Sequence, residues 1–405
     1  MEILYLTQIL SPSIGGGELV FFNLAKGMVK LGHKVHIICH KKRPININDI
    51  SPPSLAINTL EDIGASIHNI EPELVDRGGI LLNYRHHIGY IINALRVGHA
   101  LIKKGKIDII HANVYTPVIP GTILGKVYSI PVIITVHNVL LEGWRDWSSQ
   151  KNVSKATSFI GPIYEKMIFK MRIEAFHVVS KKVESDLVHF SPKAKAVVIH
   201  NGVEIQEYPT PTTNYEYEKF ILYLGRLVNG KNLQVVILAF KDVVRMIPEA
   251  KLMVAGDGPM RQEWQELVNK NNLTKNVIFL GHISDKTSKM ELLTKCSAVV
   301  FPSINEGFAM VPIEAFAMSR PLLISNIQPS DEIVDDNIDG FLLPPHDPTK
   351  WSEKIQYMLN NPKICEKMGN EGRKKVMENF NMAVVSSKME QLYRNIVTGD
   401  KRHQA

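Results

Sequence analysis

Short apolar runs separated by longer amphipathic stretches recur along all 405 residues, and no other feature limits the possible folds so tightly. Runs this short suit strands buried on both faces, and the 3.6-residue periodicity between them suits crossover helices, so a parallel sheet is expected. In the first half the runs place strands at Ile3–Leu6, Lys34–Cys39, Ile107–Ala112, Val132–Val136, Ala175–Val179 and Ala196–Ile199. Helices are expected at Glu18–Leu31, Tyr90–Lys103 and Pro162–Arg172. Asn201–Lys219 then breaks the pattern with Asn-Gly, Pro209, Pro211 and clustered charge, as an interdomain linker would. The alternation restarts with strands at Phe220–Leu224, Lys251–Ala255, Val277–Leu280, Ala298–Pro302, Leu322–Ser325 and Phe341–Leu343. Helices at Asn232–Met246, Pro259–Asn271, Lys286–Lys295 and Pro312–Met318 lie between them, and a helical run from Thr349 to Val397 is broken near Pro362 and Asn381. The pattern implies an α/β chain of two doubly wound domains facing across a deep cleft, with ligands outside the C-terminal ends of the strands.

The composition fits a soluble globular chain: 45% apolar and 21% charged residues, without a low-complexity tract. Ile3–Leu6 is too short for the apolar core of a secretion signal and runs straight into a Gly-rich loop. Tyr115–Val136 is the most apolar stretch, but Pro117, Pro120, Lys126 and Pro131 make it a helix followed by a buried strand rather than a membrane span. Cys39, Cys296 and Cys365 are far apart and lack Cys-x-x-Cys spacing, which argues against a disulfide framework or a zinc site and suits a reducing cytosol. The formal net charge of +7 suits a solvated surface, anionic ligands or an anionic membrane face equally well. A cytoplasmic chain that can touch the inner face of a membrane is the resulting expectation, with no nucleic-acid partner.

The segment with most chemistry is Phe301-Pro-Ser-Ile-Asn-Glu306-Gly307-Phe308-Ala309-Met310-Val311-Pro312-Ile313-Glu314. A buried strand runs into a glycine-containing loop, and Pro312 is expected at the first position of a helix. Glu306 would then sit at the strand's C-terminal end and Glu314 in the first helical turn, beside amides at Phe308–Val311 open to an anion or a hydroxyl-rich ligand. A helix-capping Glu314 and a solvated Glu306 account for the same pattern. Gly225-Arg226 and Gly230-Lys231 follow the first strand of the second half; Arg226 could clamp a diphosphate bidentately and Lys231 add a mobile charge, or both could be solvated loop cations. Ala255-Gly-Asp-Gly-Pro259 reads first as a tight turn and second as a ligand neighbour.

In the first half, Gly15, Gly16 and Gly17 lead from the first strand into a helix and would allow close approach of a phosphate. Val20 replaces the last glycine of a dinucleotide fingerprint, and His40 and Lys41 stand where its acid belongs, which disfavours NAD. His137 closes the strand Val132–Val136; it could bond a sugar hydroxyl, move a proton, or be structural. There is no Asp-x-Asp, and Asp335 and Asp336 have no partner ligands, so no bound metal and no resident cofactor are expected.

Taken in order and spacing, these pieces resemble the retaining glycosyltransferases of family four, the two-Rossmann-domain or GT-B type, over essentially the whole chain. The resemblance rests on Glu306 and Glu314 with seven residues between them, on Gly-Arg-Leu with Lys231 downstream, on Val-His-Asn at His137, and on His-Asn-Gly-Val ending at Val203. It implies domains over residues 1–201 and 202–380, with a helix over 381–405 crossing back to the first. Glu314 would hold the ribose, and Arg226 and Lys231 the diphosphate. Glu306 with the amides of Gly307, Phe308 and Ala309 would hold the donor sugar. His137 would lie beside that sugar, Gly16 and Gly17 on the phosphate or acceptor side, and the strand end at Gly281, His282 and Ile283 near the base. The aromatic-rich crossing motif of the family is reduced here to Phe380-Asn-Met382. Expected, then, is metal-independent transfer from a UDP-, GDP- or ADP-sugar, the donor being a substrate rather than a cofactor, to a glycan or lipid-linked acceptor. The alternative is a nucleotide-sugar-binding protein or epimerase of the same fold. Tyr84–Lys106 mixes His, Arg and Lys with Ile and Leu, and with Trp144 and Trp147 it could meet anionic lipid or be a plain surface helix.

Overall fold

The structure is a computed structural model that describes residues 1–10, 16–40, 53–70, 80–140, 157–171, 173–209, 219–283 and 285–399. The chain divides into two compact units, residues 1–201 with 385–405, and residues 202–384.

In the first unit seven parallel strands are described: β1 (Glu2–Leu6), β2 (Lys34–His40), β3 (Ser66–Ile70), β4 (Ile109–Asn113), β5 (Val132–Val136), β6 (Ala175–Val178) and β7 (Ala196–Val198). They lie in the order β3-β2-β1-β4-β5-β6-β7. Every residue of β4, β5 and β6 is buried, as a parallel sheet covered by helices on both faces requires. The second unit contains β8 (Phe220–Leu224), β9 (Lys251–Ala255), β10 (Val277–Gly281), β11 (Ala298–Phe301), β12 (Leu322–Ser325) and β13 (Gly340–Leu343). Their order is β10-β9-β8-β11-β12-β13. In each unit the strand order reverses beside the first strand, between β1 and β4 and between β8 and β11. Successive crossovers leave on opposite faces at such a point, and a crevice opens outside the strands' C-terminal ends.

The central strands match the expected ones to within two residues; the differences are at the edges. β3 and the helices Pro53–Asp62 and Lys181–Phe190 are additional to the expected elements. The helix expected from Tyr90 starts at Ile80. Asn201–Lys219 is a linker only in part. Val203 bridges to Asn381, Ile205–Glu207 forms a 3₁₀ turn, and Val203, Ile205 and Tyr208 are buried, so this stretch belongs to the second unit's packing. The final helix, Met382–Thr398, starts in the second unit, and its residues from Val385 belong to the first. Tyr115–Val136 contains the helix Val118–Tyr128 and β5, and among the described residues no helix is long and apolar enough to cross a membrane.

The final helix is tied to the first sheet by a buried polar ladder. Tyr5 Oη lies 2.7 Å from Tyr393 Oη, Tyr393 Oη 2.5 Å from His111 Nδ1, His111 Nε2 2.6 Å from Thr135 Oγ1, Thr135 Oγ1 2.9 Å from His177 Nδ1, and His177 Nε2 2.9 Å from the Ile199 carbonyl. Burial pushes the pKa of His177 down to about 4 and that of His111 well below the usual range, so both rings are neutral. The direction of every bond follows. The Ile199 carbonyl can only accept, so His177 donates from Nε2 and accepts from Thr135 at Nδ1. Thr135 must then accept from His111 Nε2, His111 from Tyr393, and Tyr393 from Tyr5. No polar atom in the ladder is left unbonded, which is what allows such groups inside a core.

Both imidazoles titrate lower in the folded chain than the value of about 6.5 expected when unfolded, so stability is full above that pH and falls as pH drops. His33, His68, His87 and His137 are shifted the same way by burial and add to the slope. Far-UV circular dichroism melts should show a midpoint that falls steadily from pH 7 to pH 5, each ladder histidine costing roughly 2 kcal/mol. A midpoint unchanged over that range would contradict the neutral ladder.

Candidate functional site

The second unit brings Lys231 and Glu306 together at the crevice between β8 and β11. After β8 the chain passes through Gly225 and the exposed Arg226 into a 3₁₀ turn, Asn229–Lys231, that ends with Asn232 in the left-handed region at φ 52°. Asn tolerates that conformation, and its side-chain amide donates to the Pro345 carbonyl at 2.7 Å. The Ile304 amide donates to the Gly230 carbonyl at 3.0 Å, stitching the loop after β8 to the loop after β11. Across that stitch Lys231 Nζ pairs with Glu306, both side chains less than one-fifth exposed, and the ammonium also lies 5.0 Å from the centre of the Phe301 ring. Arg226 shares the loop with Lys231, but its side chain stands in solvent and is not joined to Glu306.

Glu314 lies in the helix Met310–Ala317, whose residues are buried except for the partly covered Val311. This helix begins two residues before the expected start. Pro312 is therefore third rather than first, still where a missing N–H costs no helical bond, and Glu314 is fifth, beyond the first turn. Macrodipole stabilisation within the first turn is thus not what holds this carboxylate. Its compensation is local: Lys289 Nζ at 2.6 Å and Tyr208 Oη at 3.3 Å both donate to Oε1, at a residue only 5% exposed. The helix's N-cap, Ala309, is extended and offers no side-chain acceptor to the first amides. Gly307, Phe308 and Ala309 are buried, and the Phe308 ring packs against Phe380 at 5.8 Å between centroids.

Backbone hydrogen bonds lace the neighbouring strand ends together. Gly225 donates to Ala255, Leu227 to Asp257 and Gly256 to Gly281. A Cβ at Gly256 would sit 1.8 Å from the Gly225 oxygen, and one at Gly258 2.4 Å from the Leu227 oxygen, so the expected tight turn is a place where two backbones meet. His282, exposed, and Ile283, half-buried, follow β10 directly.

In the first unit, Gly16 and Gly17 open the helix Gly16–Lys30, and a Cβ at Gly17 would lie 3.0 Å from His137 Cδ2. His137 Nε2 donates to Asn113 Oδ1 at 2.9 Å, and burial pushes its pKa down to about 3. The ring is therefore neutral, with its proton on Nε2 and a lone pair on Nδ1. Asn113, Tyr208 and Lys289 were missed from sequence. Asn113 ends a strand and could have been found that way; Lys289 on a helix and Tyr208 beyond the Asn-Gly turn carry no local signal. Gly15, Trp144 and Trp147 lie outside the described residues, as does the side chain of Tyr84.

Residues 14–207 match Glycosyltransferase Family 4 and residues 204–375 match Glycosyl transferases group 1, two consecutive matches that span both units. The chain belongs to glycosyltransferase family 4. It is 29% identical over 378 residues to a glycosyltransferase of Methanocaldococcus jannaschii, covering 92% of each chain. Over 313 residues it is 25% identical to the Escherichia coli UDP-Gal:alpha-D-GlcNAc-diphosphoundecaprenol alpha-1,3-galactosyltransferase, covering 74% of this chain and 78% of that one. The solved sucrose-phosphate synthase of Thermosynechococcus elongatus superposes with a TM-score of 0.79 at 20% identity, covering 99% of this glycosyltransferase and 100% of the synthase, which shows a shared fold.

Replacing Gly256 by alanine should destabilise this glycosyltransferase by at least about 2 kcal/mol, because the new methyl meets a backbone oxygen rather than a movable side chain. Urea unfolding of the two proteins provides the comparison, and equal midpoints would mean that the turn is not closed as described.

Proposed function

We propose that this glycosyltransferase moves a sugar from a UDP-, GDP- or ADP-sugar to a glycan or lipid-linked acceptor, with retention of anomeric configuration and without a metal. The observation that carries the reading is the pair of carboxylates eight positions apart at the β8–β11 crevice, each held by a lysine of its own: Glu306 by Lys231 and Glu314 by Lys289. Two carboxylates so placed can serve two sets of hydroxyls, one on the donor sugar and one on the ribose.

In this reading Glu314 holds the ribose and Arg226 with Lys231 hold the diphosphate. Glu306 and the amides of Gly307, Phe308 and Ala309 hold the sugar, and His282 and Ile283 border the base. As the anomeric bond breaks, positive charge grows on the sugar and negative charge on the diphosphate, and the two cations stabilise the departing group. Attack on the same face, assisted by the leaving phosphate, retains the configuration without a protein nucleophile. In the first unit Gly16 and Gly17 leave room for phosphate or acceptor, and the neutral His137 can accept a hydrogen bond from a sugar hydroxyl at Nδ1. The named E. coli relative, with a UDP-sugar donor and a lipid-linked acceptor, supports this choice of substrates. Exposed Ile88, Ile92, Ile123 and Val127 share their helices with Arg96, Lys103, Lys104 and Lys126, a combination suited to peripheral contact with an anionic membrane.

Changing Glu306 to alanine should lower transfer at least about 100-fold while leaving nucleotide affinity within a few-fold. Changing Glu314 to alanine should chiefly raise the KM for donor. Initial rates over a donor series, with folding checked by circular dichroism, separate the two; normal turnover in both folded variants would refute the site. A binding protein or epimerase would instead leave acceptor unglycosylated at every donor concentration.

A further inference from the structure

Glu314 is the more deeply buried of the two carboxylates, and both of its bonds fall on one oxygen. Lys289 Nζ and Tyr208 Oη converge on Oε1, while Oε2 is bonded to neither. The two donors are themselves fixed. Asp285 caps the helix Lys286–Lys295 by accepting from the Ser288 amide at 2.6 Å, which sets where Lys289 emerges one turn in. At the other end of that helix Arg320, fully buried, donates to the Leu293 and Thr294 carbonyls. The Tyr208 backbone carbonyl accepts from Arg373 at 3.2 Å, and its ring lies 5.4 Å beneath the Lys286 ammonium. Lys289 keeps 27% of its side chain exposed.

We propose that Lys289 and Tyr208 are positioning residues that hold Oε1 of Glu314 and thereby aim Oε2 at the vicinal hydroxyls of the donor's ribose. The proposal rests on the reading that Glu314 binds ribose, and it gives that site its selectivity for ribonucleotides over deoxyribonucleotides. A carboxylate free to rotate would meet a ribose hydroxyl only part of the time. Held at one oxygen by two rigidly mounted donors, it keeps the other in one direction, and the orienting cost is met in folding rather than in binding. Lysine supplies the charge and tyrosine the second direction, so loss of either loosens the carboxylate, and loss of the charge more so.

The test compares binding of UDP, GDP and ADP with their 2′-deoxy counterparts by isothermal titration calorimetry, for wild type, Lys289→Met, Lys289→Arg, Tyr208→Phe and Glu314→Gln. Wild type should prefer the ribose form of its nucleotide by about 10-fold or more, the worth of one hydrogen bond to a charged group. Lys289→Met should reduce that preference to within about 3-fold, Tyr208→Phe should reduce it in part, and Lys289→Arg should restore it. A merely structural lysine would weaken both forms equally and leave their ratio alone. A folded Lys289→Met protein with the full preference, alongside a Glu314→Gln protein that has lost it, would overturn the positioning role and leave the ribose assignment standing. A preference that survives in Glu314→Gln would overturn the ribose assignment and this proposal with it.

Discussion

Parallel strands can be joined only by crossovers that run over one face or the other, and both sheets here change face beside their first strand. The consequence is geometric. At the change, adjacent crossovers diverge, and the loops after β1 and β4, and after β8 and β11, are left bordering open ground. Arg226, Lys231, Glu306 and His137 each issue from a strand end next to such a point or one strand away. The rest of the scaffold serves to hold those ends still. Glycines at 256 and 258 let the strand-end backbones touch, and the stitch from Ile304 to Gly230 brings Lys231 to Glu306.

Holding charge at such a place has its own requirement. A carboxylate withdrawn from water must be met by donors, and the second unit meets two of them with separate lysines. Glu306 and Lys231 come from loops after adjacent strands, whereas Glu314 is buried in an apolar helix and depends on a residue from another helix and on Tyr208. The first unit solves the opposite problem. Its sheet carries tyrosine, histidine and threonine through the core without any charge, each bond directed by the carbonyl at one end of the ladder. The same ladder anchors the final helix through Tyr393, which is how a chain that has left the first unit rejoins it.

Much of this was legible in the residues. The central strands of both sheets could be read because strands buried on both faces must be continuously apolar, and Glu306, Lys231 and His137 because strand ends next to polar residues are few. Edge elements were less legible: Ser66–Ile70 is half polar because only part of it is covered. The start of the helix bearing Glu314 was misplaced because Pro312 is equally at home at the first or third position. Tyr208 was hidden inside a stretch that resembles a linker in composition but is packed against its unit. Lys289 could not be found from pattern at all, since a lysine four residues into a largely polar helix is ordinarily a solvated charge; only the distance to Glu314 distinguishes it.

A second unit that holds a nucleoside diphosphate at the β8–β11 crevice, as proposed, will reveal it in amide hydrogen–deuterium exchange whatever sugar the donor carries. With UDP, GDP and ADP offered in turn, one of them should slow exchange in residues 225–231, 281–283 and 304–314 and leave the rest of the second unit unchanged. Protection confined to other segments, or none with any of the three at millimolar concentration, would contradict the account.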